Sequence, residues 1–274
     1  KMKYVKVAVI ILFILSVGIF AAGMEKERRA EDPTKPVLTS DREILEISTS
    51  YEGADLLQGL TAQDGKDGDL TSEILVGEFS QFVERGVCNL SYVVFDSSNQ
   101  AATLTRKVKF TDYESPRLTL TEPLVFPAGK TENAMEFIGA SDMIDASLSA
   151  LVKQTESTID YKNVGDYYIH VEVTNSFGDV EEQQLPVHVI EASHQALEIQ
   201  LSSSLVYLKQ GEAFDPNSYV EALNDTYGEA LDPALVQAES NVNTGQPGCY
   251  EVHYQATSEK GQIGETWLTV IVRG

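Results

Sequence analysis

The chain has 274 residues, 42% of them hydrophobic, and 42 acidic against 20 basic side chains give a net charge of −22. Such a surface repels nucleic-acid phosphates and anionic lipid, which argues against a polyanion partner. The two cysteines, Cys88 and Cys249, are too few for a disulfide-stapled scaffold and lie in different parts of the chain, so both are expected as free thiols.

Lys1, Lys3 and Lys6 precede an uncharged apolar run from Val7 to Met24, and the charged cluster EKERRAED follows. This pattern targets a chain to a membrane. Its length suits either a single-pass anchor, with the later residues extracellular, or a signal peptide cleaved beside Ala21 and Gly23. Residues 1–24 are therefore read as anchor or signal. Residues 25–36, charged and holding Pro33 and Pro36, are read as a stalk.

One strand is then written three times: GVCNLSYVVFD from Gly86, GDYYIHVEVTN from Gly165 and GCYEVHYQATS from Gly248. Cys88, Leu90, Tyr92 and Val94 stand at even offsets from the first glycine, as Tyr167, Ile169, Val171 and Val173 do from the second. The odd offsets are mostly polar, which is the period of two expected of a half-buried strand. Thirteen residues after each glycine stand Asn99, Gly178 and Gly261, types that tolerate positive φ in a hairpin. Upstream, Asp64, Asp142 and Asn224 keep the same register. The spacing predicts an all-β tandem array of three immunoglobulin-like Greek-key sandwiches over 37–112, 113–191 and 192–274, with no sustained helical period among them.

The order of parts resembles the bacterial immunoglobulin-like repeats of Gram-positive cell-surface proteins. The likeness is carried by Pro36-Val37-Leu38, Ala62-Gln63-Asp64 and Asp67-Gly68-Asp69-Leu70-Thr71 in the first repeat, and by GEAFDP from Gly211 with Gly248 to Tyr254 in the third. The second repeat departs most, its turn having lost both glycines. The resemblance implies the sandwich fold and a cell-surface setting in which such modules serve as spacers, adhesins or enzyme appendages.

Asp64, Asp67 and Asp69 offer oxygens to a calcium ion, although aspartates at such spacing equally cap turns. No other cofactor is expected. His170 and His253 share one outward offset of the repeated strand, His188 and His194 lack ligand spacing, and no nucleophile elbow or phosphate loop occurs. The chain is therefore expected to be non-enzymatic. Val93 and Phe95 break the outward polar rule and mark either a partner-binding patch or a contact with a neighbouring domain or loop. These features lead to a cell-surface structural or adhesive module whose partner is a protein or a cell-wall glycan. The alternatives are an accessory region of a larger envelope enzyme and the ectodomain of a membrane signalling or assembly protein.

Overall fold

The computed structural model describes residues 2–30, 34–130 and 133–274. An N-terminal helix, α1 (Met2–Ala30), covers the whole apolar run and continues through the charged residues after it. Residues 25–30 of the segment read as a stalk are thus helical. Glu, Lys, Arg and Ala are strong helix formers and no breaker stands before Pro33. The transmembrane anchor is corrected, because no helix among the described residues is long and apolar enough to cross a membrane. The uncharged run between Lys6 and Glu25 spans about 27 Å as a helix, short of a hydrocarbon core of about 30 Å.

The chain divides into two compact units, Lys1–Asp112 and Tyr113–Gly274. The first unit adds β1 (Val37–Ser40), β2 (Ile44–Ile47), β3 (Leu60–Asp64), β4 (Gly68–Asp69), β5 (Leu75–Phe79), β6 (Val87–Phe95) and β7 (Ala101–Phe110). They form one sheet in the order β1-β3-β4 and another in the order β2-β7-β6-β5. The opening segment contributes to both sheets: β1 runs antiparallel to β3, and after Ser40 the chain crosses so that β2 runs parallel to β7.

The second unit comprises β8 (Arg117–Leu120), β9 (Val125–Pro127), β10 (Ile138–Asp142), β11 (Ala146–Ser147), β12 (Lys153–Ser157), β13 (Gly165–Thr174) and β14 (Val180–Ile190). It continues with β15 (Leu197–Leu201), β16 (Leu205–Lys209), β17 (Val220–Asp225), β18 (Ala230–Leu231), β19 (Val236–Ser240), β20 (Gly248–Thr257) and β21 (Ile263–Arg273). The sheet orders repeat those of the first unit, as β11-β10-β8 with β12-β13-β14-β9, then β15-β17-β18 with β16-β21-β20-β19. Three sandwich-like sheet pairs thus match the three sequence repeats, with the last two gathered into one unit. Ile271, from β21, is buried in the core of the preceding pair, and Leu205, Tyr207 and Cys249 pack against that core.

The repeated strand behaves as its period demands. Cys88, Leu90, Tyr92 and Val94 are all at most 1% exposed, as are Ile169, Val171 and Val173. The hairpin turns also match expectation, with φ of 60° at Asn99, 81° at Gly178 and 74° at Gly261. The glycines that open the strands differ in role. A Cβ on Gly165 or Gly248 would sit 3.3 Å from the ring or hydroxyl of Tyr167 or Tyr250, whose hydroxyls donate to the carbonyls of Asn163 and Gln246 at 3.0 Å. In the first repeat Cys88 replaces that tyrosine, and Gly86 instead adopts a φ of 73°.

One buried charge distinguishes the first unit. Arg106, 4% exposed, occupies the register position that Leu185 and Leu268 hold in the other hairpins. Its guanidinium donates to the carbonyls of Leu56 and Gln58 at 2.7 Å and to the Tyr92 hydroxyl at 3.0 Å, and that hydroxyl donates to Leu56 at 2.8 Å. The arginine thus satisfies carbonyls of a turn that has no strand partner, as Tyr254 does by donating to the Pro216 carbonyl at 2.6 Å. Replacing Arg106 by alanine strands these carbonyls and opens a cavity. Arg106→Ala is expected to lower first-unit stability by about 2–4 kcal/mol in denaturant unfolding. A second consequence concerns Ala146, a non-glycine residue at φ 60°, where the first unit has Gly68 at φ 78°. Ala146→Gly is expected to stabilise the second unit by about 1 kcal/mol, read as a rise in its unfolding midpoint.

Candidate functional site

The three aspartates proposed for calcium are spread along one turn, each engaged in a separate way. Asp64 ends β3, and its Oδ1 accepts the N–H groups of Lys66 at 2.7 Å and Asp67 at 2.9 Å. The Asp67 amide, together with those of Lys66 and Gly65 and the Thr34 hydroxyl, holds the Asp64 carboxyl below its ordinary value against the opposing effect of burial. Asp67 reaches across to the β6–β7 turn, accepting the Ser97 N–H at 2.8 Å and its hydroxyl at 2.9 Å. Asp69 accepts the Thr71 N–H at 2.9 Å. These bonds are turn caps, and among the described residues no group of three or more acidic, histidine or cysteine side chains is arranged to hold a metal. In the third repeat a bulge in the β15–β17 pairing moves the buried capping position from the expected Asn224 to Asp225, which is 8% exposed.

Val93 and Phe95 lie on the outward face of the β2-β7-β6-β5 sheet. Val93 stands opposite Leu75 of β5, and Phe95 opposite Ala101 of β7. Phe95 is 46% and Leu75 55% exposed with Val93 half-buried between them, so the face is apolar and open to solvent at its two outer members. Leu75 escapes a sequence reading because the bulge between Val76 and Phe79 breaks the alternation of β5.

A polar junction in the second unit is less visible in the sequence. Trp267 of β21 is stacked on both faces, by His188 of β14 at 4.1 Å between ring centroids and by His253 of β20 at 4.2 Å. His188 is 6% exposed, and its two ring nitrogens face Asp166 of β13 and Glu251 of β20. Beyond the tryptophan, Glu265 lies 2.7 Å from His194 and 3.6 Å from His253. Arg273 closes the far end, pairing with Glu181 at 2.6 Å, donating to the Pro116 carbonyl at 2.9 Å and lying over the Tyr207 ring. The Tyr207 hydroxyl accepts the Leu118 N–H at 2.8 Å. His253 keeps its outward strand position and is covered there, for a simple reason. The hairpin register places it directly opposite Trp267.

Both cysteines are free thiols; burial pushes Cys88 up to about 11 and Cys249 to about 12, far from a reactive thiolate.

Residues 200–272 match the family model for the bacterial surface protein, Ig-like domain, so the resemblance read from the sequence is borne out there. Among curated proteins, the pesticidal crystal protein Cry22Aa of Bacillus thuringiensis is 26% identical over 259 residues, which cover 88% of this chain and 33% of that protein. An uncharacterized 81.3 kDa protein of Acholeplasma phage L2 is 28% identical over 136 residues, covering 48% of this chain and 18% of that protein. The chain thus spans a third or less of the length of these relatives. Among solved structures, domains 4–9 of the surface layer protein SbsC align over 86% of this chain and 50% of theirs, with 10% identity and a TM-score of 0.22. The CBM51-2 and INT domains of Clostridium perfringens ZmpB align over 54% of this chain and 26% of theirs, with 20% identity and a TM-score of 0.24.

The junction makes stability depend on pH. Burial disfavours a charged His188, but Glu251 and Asp166 outweigh it and raise the imidazole above its ordinary value of 6.5. The stabilisation is therefore full below that value and is lost as pH rises through the elevated one. The second unit should melt at lower temperature as pH is raised from about 6 to about 8, and His188→Gln should flatten that dependence in a calorimetric series.

Proposed function

We propose that the chain is a non-catalytic, exported module of immunoglobulin-like sandwiches that works at the bacterial cell surface as a spacer and as a binding element. The observation that carries the binding role is the open apolar face of Leu75, Val93 and Phe95 on an otherwise strongly acidic protein. Apolar side chains clustered on a solvated sheet cost solubility unless something covers them in use. The same face suits a protein or a cell-wall glycan, since both are bound through aromatic and aliphatic contact.

The spacer role draws on the second unit. Its two sheet pairs share Ile271 in one core, and Arg273, Tyr207 and the stacked Trp267 tie them by polar contacts. A joint held by core packing and by hydrogen bonds resists bending more than a bare linker does. Helix α1 supports export: its basic start, apolar centre and the small residues Ala21, Ala22 and Gly23 are the parts of a signal segment. The coverage of a third or less of the curated relatives favours a second reading, in which the module is an accessory region of a larger envelope protein.

The test is retention of the labelled chain on cell-wall fragments, extracellular-matrix proteins and envelope preparations. Wild type is expected to be retained, and Phe95→Asp to bind about tenfold more weakly with unchanged β-sheet circular dichroism. Equal retention of both proteins removes the face from the binding role, and hydrolysis of polysaccharide or peptide by the purified chain overturns the non-catalytic reading.

A further inference from the structure

The second unit supplies a reference for a gap in the first. Asp142 Oδ1 accepts the N–H groups of Ile144 at 3.0 Å and Asp145 at 2.6 Å, as Asp64 Oδ1 does from Lys66 and Asp67. Asn175 Oδ1 accepts from Phe177 at 3.1 Å and Asp179 at 2.9 Å, as Asp96 Oδ1 does from Ser98 at 2.8 Å and Gln100 at 2.7 Å. The bond from Ser176 N–H to Asp145 likewise matches that from Ser97 N–H to Asp67. Five backbone N–H bonds thus match between the two turns, and they set the remaining carboxyl and amide atoms in corresponding positions. In the second unit Asn175 Nδ2 donates to Asp142 Oδ2 at 2.8 Å. In the first unit the same two positions are Asp96 Oδ2 and Asp64 Oδ2.

Neither oxygen has a hydrogen-bond partner, and both are shut off from solvent, in side chains 5% and 8% exposed. Two acceptors thus stand where the reference has a donor and an acceptor. An ionised carboxylate buried without a counter-charge is costly, and two that face each other cost more. What the gap lacks is a positive charge that two oxygens can share.

We propose that Asp64 and Asp96 hold a calcium ion between their Oδ2 atoms, closing in the first unit the contact that the Asn175 amide closes in the second. The site differs from the one read off the sequence: Asp67 and Asp69 remain turn caps, and the new ligand is Asp96, from the turn after β6. Two carboxylates supply the charge that a hard, oxygen-seeking cation prefers. So few charged ligands set a dissociation constant of about 0.1–1 mM, the range of extracellular modules.

The test compares the whole chain with its Asp96→Asn variant, which copies the second unit, in chelator and in about 5 mM calcium. Isothermal titration reads binding, and hydrogen exchange reads protection over residues 64–67 and 96–100. Wild type should bind one calcium ion and gain protection at both turns, with its first-unit melting midpoint rising by about 4 °C. The variant should be protected in chelator already and should not respond to calcium, while Asp64→Asn, with the other ligand neutralised, should likewise lose binding. Absence of a calcium response in wild type, or the same response in Asp96→Asn, overturns the proposal. Stabilisation of wild type by acid alone, with no calcium response, assigns the gap to a shared proton and overturns it as well.

Discussion

The structure depends on one constraint repeated three times: a long hairpin whose turn residue takes a left-handed backbone. Asn99, Gly178 and Gly261 let the chain reverse so that Phe95 meets Ala101, Thr174 meets Val180 and Thr257 meets Ile263. Once that closing pair is set, every cross-strand pair behind it follows, because the side-chain period of a strand is two. The buried stripe from Cys88 to Val94 is one result. The outward pairs, Val93 with Thr103 in the first hairpin and His253 with Trp267 in the last, are another. Core and surface features are therefore two readings of the same register.

Within that frame the repeats diverge by single substitutions, each with its compensation. Tyr92 and Tyr254 carry hydroxyls into the core to meet the carbonyls of Leu56 and Pro216, while the second repeat places Val171 at that offset. Arg106 takes a position that is leucine elsewhere, and its charge is tolerated because carbonyls and a tyrosine hydroxyl surround it. Asp96 stands where Asn175 donates a hydrogen bond, and for that exchange the described protein atoms supply no compensation. Internal repeats thus act as controls for one another: the same backbone shows what each side chain must do, and a departure without a partner becomes conspicuous.

The functional features fall on different units. The first carries the open apolar face and the acid pair, the second the stacked tryptophan and the buried histidine. Val93, Phe95 and His253 sit at outward offsets of the same strand type, where side chains are released from core packing and are free to specialise.

Composition and period alone determined much of this protein. The all-β class, the three repeats, the hairpin turns and the inward residues all follow from local spacing, which a strand cannot evade without turning its apolar side to water. Val93 and Phe95 were legible for the same reason, as apolar residues at polar offsets. Tertiary structure decided what spacing cannot encode. It joined the last two sheet pairs through Ile271 and Trp267, because contacts between sheets depend on which outward faces meet. It shifted the third repeat's capping acid to Asp225 through a bulge earlier on the same strand, β17. It also brought the Asp96 turn onto the Asp64 turn, where Ser97 bonds Asp67 across 30 residues of chain, a pairing set by how two turns stack and by nothing written between them.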